Sequence, residues 1–122
     1  MRVLVPVAFA ASLVLSAVSQ ATVVWSPCQT VTGVVHEPIG ANGNVLLSLS
    51  PGIASCAAAG IAGAAMFMVG QEGVAATDLG GFLADSLAAI SSGRQVQVAY
   101  DNTTGPCYSV AVAVGGTNGQ CP

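Results

Sequence analysis

The stretch SSGRQVQVAYDNTTGPCYSVAVAVGG, Ser91–Gly116, decides the fold. Val96, Val98 and Tyr100 alternate with Gln95, Gln97, Ala99 and Asp101, the period of a strand with one face in a core and the other in water. A second strand, Tyr108 to Val114, follows a turn through DNTTGP.

Upstream the period changes. Between Thr77 and Ser92, Leu79, Phe82, Leu83, Leu87 and Ile90 fall at offsets 0, 3, 4, 8 and 11, which places them on one stripe of a helix. Thr77 or Asp78 is suited to cap its start, where Asp78 also meets the positive end of the helix dipole, and Gly93 to end it in a left-handed conformation.

Further back, Thr30 to Ile39 is rich in β-formers, and Asn42-Gly43 precedes the alternating Val45, Leu47 and Leu49. Asn-Gly adopts the positive φ of tight hairpins, so these runs are expected to be strands one and two, joined by two residues or more. Pro51-Gly52 ends the second. From Ile53 to Gly73 the expectation is a loose Ala/Gly loop through Cys56 leading to a third strand, Ala65 to Val69, in which Met66, Phe67 and Met68 give bulk to the core. A membrane helix over Ile53 to Val69 is disfavoured by Pro51, Gly60 and Gly63 and by the weak partitioning of alanine and glycine into lipid. IASC resembles the box preceding a lipid-modified cysteine but lies far beyond the apolar N-terminal segment.

The order strand, strand, strand, helix, strand, strand predicts a mainly β chain with one helix (α+β), a five-stranded OB-fold-like barrel of order βββαββ. Ahead of it, MRVLVPVAFAASLVLSAVSQA has one charge at Arg2, an apolar run Val3 to Leu15 and small residues at Ser19 and Ala21, the pattern of a cleaved secretory signal peptide. Cleavage after Ala21, with Ser19 as rival, leaves residues 22–122 as a single domain, secreted or periplasmic, with no membrane span in the mature chain.

That portion carries one base, Arg94, against Glu37, Glu72, Asp78, Asp85 and Asp101, and no lysine. One cation cannot supply the counterion release on which nucleic-acid binding depends, and anionic lipid is equally ill matched. An exterior of uncharged polar and small apolar groups fits neutral partners or copies of itself.

Cys28, Cys56, Cys107 and Cys121 follow an export signal and are even in number, so two disulfides are expected. No C-x-x-C occurs and His36 is the lone histidine, so no metal or other cofactor is expected. Nor is an enzyme. His36 and Glu37, adjacent on a strand, point to opposite faces, and no nucleophile elbow or phosphate loop is present. A carboxylate pair, for instance Glu37 with Glu72 across a barrel end, is the arrangement that would suggest acid–base work, against separate solvated acids. Asn102 opens an N-x-T acceptor sequence that serves equally as a turn. Trp25 is expected to cap the end of the core rather than bind, and Gln95, Gln97, Asp101 and Ser109 form a polar face that either hydrogen-bonds a sugar or is simply wet.

TVVWSP, NGNVLLSLS, the cysteine after strand two and LAAISSGRQVQVAYDNTTGPCY together resemble a group of small exported bacterial proteins of unknown function. The same layout of helix, Ser-Gly, strand and cysteine is similar to the B subunits of bacterial AB toxins, most closely the subtilase-cytotoxin type. That resemblance implies an OB-fold, a ring of five copies and binding of cell-surface glycans; it carries no ligand-binding residue across, so the binding residues stay unknown. In such a plan strands three and five are parallel neighbours, which favours Cys56 with Cys107 and leaves Cys28 with Cys121, against two other pairings. The functional expectation is a binding module for a glycan or cell surface, with a protein that docks on another exported protein as the alternative.

Overall fold

The computed structural model describes residues 22–37, 43–58, 60–103 and 106–122. The predicted leader, 1–21, lies outside the described residues, as do Asn42 and the end of the first predicted strand.

The chain is mainly β with one helix. Its elements are β1 (Val23–Trp25), β2 (Thr30–Glu37), β3 (Asn44–Ser50), β4 (Ala57–Ala58), β5 (Ile61–Ala62), β6 (Ala65–Met68), α1 (Leu79–Ser92), β7 (Val96–Asp101) and β8 (Ser109–Val114). They form two three-stranded sheets, β1-β7-β8 and β2-β3-β6, and a small hairpin β4-β5; every ladder is antiparallel. The expectation of five strands in a closed barrel is corrected here. The sheets are not closed by continuous ladders and meet at single-residue bridges, Gln29 with Val96 and, in parallel, Met66 with Tyr108. TVVW adds a strand that the alternation test passed over, because three residues are too few to display a period, and the supposed loop through Cys56 contains the β4-β5 hairpin. The described residues of segment 53–69 are thus turn, hairpin and strand, and no helix among the described residues is long and apolar enough to cross a membrane.

Both sheets turn their apolar faces inward. Val31, Val45, Leu47, Ala65, Phe67, Val96 and Val98 form the main core with Val112 and Val114 packed against it. Each large, fully enclosed side chain such as Leu47 or Phe67 contributes about 2 kcal/mol. Helix α1 packs on β2, β3 and β8, and Phe82 stacks on Phe67 with ring centroids 4.2 Å apart. The helix stops where glycine permits it: Gly93 has φ 68°, and its N–H turns back to the carbonyls of the last turn. Asp78 makes no cap to α1 itself; its carboxylate accepts from Ala75 N–H at 2.8 Å, closing the 3-10 turn that leads in.

The inward stripe of α1 is rotated from the predicted one. Leu79, Ser86 and Ala89 are buried with Phe82 and Leu83 partly so, while Leu87 and Ile90 are exposed. Small residues at the contact let the helix backbone approach the sheets, and a count of large apolar residues overlooks them.

Two cystines join distant segments: Cys28–Cys121 and Cys56–Cys107. Each lies one residue from a bridge between the sheets, Cys28 before Gln29 and Cys107 before Tyr108.

Candidate functional site

In β7, Val96 and Val98 face the core and Tyr100 packs against it, so Gln97, Ala99 and Asp101 belong to the opposite, outer face. Register sets three rows across that face. Val23 stands beside Asp101; Trp25 beside Ala99, which stands beside Ala111; and Gln97 beside Ala113. Trp25, the only tryptophan of the chain, keeps 46% of its surface open, and so does Val23. Ala99 next to it is 2% exposed. The indole therefore borders a shelf of methyl groups, and the expectation that it caps the core is corrected: the β1–β7 pairing turns it outward.

The polar groups around this face are mostly committed. Gln97 donates through Nε2 to the Ser26 carbonyl at 3.1 Å, and its Oε1 accepts from Thr117 N–H at 2.9 Å and from the Thr117 hydroxyl at 3.2 Å. Gln95 donates to Thr30 Oγ1 at 3.4 Å. Ser109 is buried, with its hydroxyl donating to the Cys107 carbonyl. Asp101 is 1% exposed, and its Oδ1 accepts from the N–H and hydroxyl of Thr103 at 2.8 and 2.6 Å. The predicted wet polar face is therefore wet only in part. Asn102, whose N–H donates to the Thr22 carbonyl, is exposed, as are Thr22 and Thr103.

Glu72, in the turn after β6 at φ 51°, brings its carboxyl beside that of Asp101, within reach of a hydrogen bond. Burial, that hydrogen bond and the Asp101 charge hold Glu72 above the usual carboxylate range. The Thr103 hydroxyl and N–H hold Asp101 below it, against the opposing effect of burial and with a smaller contribution from Glu72. The Glu37–Glu72 pair suggested by the sequence does not form. Glu37 is exposed at the end of β2 beside His36 and accepts from Asn44 Nδ2 at 3.2 Å.

Among the described residues no group of three or more His, Cys, Asp or Glu is gathered to hold a metal ion. Ser26, buried beside β7, donates to the Pro27 carbonyl and accepts from Val98 N–H. Arg94 lies away from Trp25, past the other end of β7, where its guanidinium fills the space a Cβ at Gly115 would need.

No family model, curated protein or solved structure matches the chain.

Proposed function

We propose that the chain is a secreted or periplasmic, non-enzymatic binding module of OB-like plan that recognises cell-surface glycans, as the toxin B subunits it resembles do, and acts as a homo-oligomer. One observation carries the reading: an outward sheet face on which the sole tryptophan stands half open beside a row of alanines, with Arg94 kept away. Aromatic surface ringed by a few neutral polar groups suits a polyhydroxylated ligand better than a polyanion. The OB-like plan is supported by the element order and by the bridges Gln29–Val96 and Met66–Tyr108, which set the two sheets edge to edge. Export is supported by the leader pattern and by the pairing of all four cysteines.

A broad glycan array probed with the oxidised protein tests the reading. Saturable binding to a defined set of glycans is expected, and an empty array removes it. Native mass spectrometry tests assembly separately, with a closed ring as the expected species.

A second reading, docking on another exported protein, is favoured by the position of β1 at the edge of its sheet, where the strand Val23–Trp25 pairs on one side only among the described residues. A strictly monomeric chain that co-purifies with one partner supports it.

A further inference from the structure

We infer that Trp25 is the stacking platform for one neutral pyranose ring, seated on the outer face of β1-β7-β8 with Val23 and the Ala99–Ala111 row at its border and Thr22, Asn102 and Thr103 at its rim. This rests on the glycan reading above and gives it a place and a ligand class.

The occupant follows from size, shape and charge. A half-exposed tryptophan leaves on the order of 100 Å² open. With Val23 beside it, the apolar area is still far below the ~800 Å² per partner of a stable protein interface. The patch therefore matches a single ring better than a protein. Alanine at both positions across the sheet from Trp25 keeps that row low, so a flat ligand can approach the indole broadside. The negative face of the indole attracts the polarised axial C–H groups of a pyranose, whose equatorial hydroxyls then point sideways. Thr22, Asn102 and Thr103 are exposed on the side where β7 ends, and their side chains offer neutral donors and acceptors there.

Charge excludes the other small ligands. An anionic sugar such as a sialic acid or a sulfated residue needs a cation against the indole; the single basic side chain of residues 22–122, Arg94, lies past the far end of β7, and the α-ammonium that cleavage after Ala21 leaves on Thr22 stands beyond Val23, beside Asn102. A quaternary ammonium is held by a cage of several aromatic rings, and among the described residues the other rings, Phe67, Phe82, Tyr100 and Tyr108, pack on the core clusters instead. The nearest carboxylate, Asp101, is buried and already accepts two hydrogen bonds from Thr103.

The sole tryptophan makes the test direct and possible without mutation. The methyl β-glycosides of galactose, glucose and N-acetylglucosamine are titrated against the oxidised protein while indole fluorescence and its quenching by acrylamide are followed. At least one is expected to shift the emission to the blue and to lower the quenching constant at least twofold, with choline and methyl sialoside inert. On the array, Trp25→Ala is expected to lose at least tenfold in binding to neutral glycans and Trp25→Tyr to recover part of it, with both variants matching the parent in circular dichroism. Array binding that survives in Trp25→Ala, indole emission unmoved by every glycoside, or a response confined to sialylated ligands or choline overturns the inference. The first of these leaves the glycan reading standing. An array empty for the parent protein overturns both.

Discussion

The side chain of Gln29 grips the backbone of Gly52 from both sides of one residue. Gly52 N–H donates to Oε1 at 2.8 Å, and Nε2 reaches the Gly52 carbonyl at 3.5 Å. The same residue exchanges backbone hydrogen bonds with Val96, so it ties the start of β7 to the exit of β3. It is buried, and removing its amide leaves the Gly52 N–H without that partner. Gln29→Leu is expected to lower stability by about 2–3 kcal/mol, read as a shift of the urea midpoint. An unchanged midpoint means that water replaces the amide at no cost.

Gly52 and Gly63 lie back to back where β3 leaves its sheet and the β4-β5 hairpin passes. Both have positive φ, 94° and 77°, and a Cβ on Gly63 would stand 3.0 Å from the Gly52 Cα. Gly60, at φ 78°, has open space around it. Alanine at Gly60 is expected to cost only the backbone term, about 1–2 kcal/mol. At Gly52 or Gly63 the loss exceeds this, since backbone must also move. Equal thermal shifts at all three sites count against the close approach.

The Glu72–Asp101 pair gives stability a maximum in mild acid. Glu72 is held above its ordinary 4.5, so its contribution is complete below that pH and is lost as pH rises through the raised value. Asp101 is held below its ordinary 3.8, so its contribution is present above that pH and is lost as pH falls through the lowered value. Denaturant midpoints between pH 3 and 8 should therefore peak near 3.8–4.5 and decline on both sides, as far as these two groups govern them. Glu72→Gln should flatten the neutral limb and leave the acid limb. A neutral limb unaltered by that substitution places its cause in other groups.

The rotated face of α1 is open to a paired test. Leu87→Gln, on the exposed side, should change stability by no more than about 0.5 kcal/mol. Ala89→Leu, on the buried side, should cost about 1–3 kcal/mol by overpacking. The stripe of large apolar residues in the sequence predicts the reverse for Leu87, so thermal melts of the two variants separate the alternatives.

That reversal illustrates what was legible in the sequence. The end of α1 could be seen at Gly93, and the ladder of β7 and β8 in the alternation after Gln95, because local chemistry fixes both. The inward face of α1 depended on how closely the helix approaches the sheets, and there Ser86 and Ala89 gave no apolar signal. The Ala/Gly run hid β4 and β5, since two-residue strands have no periodicity to detect. At the candidate site, Asp101 was visible as a strand-end acid, but Glu72 is far from it in the chain and only the tertiary fold joins them. Trp25 could have been found by treating TVVW as an edge strand: with Val24 turned toward the sheet interior, its neighbours must turn out.

The cystines beside Gln29 and Tyr108 make the molecule a book with a clasp on each margin. Opening one clasp turns the other into a hinge, so the two leaves can part while each keeps its own ladder. Amide exchange after replacing Cys56 and Cys107 with serine should accelerate first along the β6–β8 margin and leave Gln29 and Val96 protected; the Cys28 and Cys121 double variant should do the opposite.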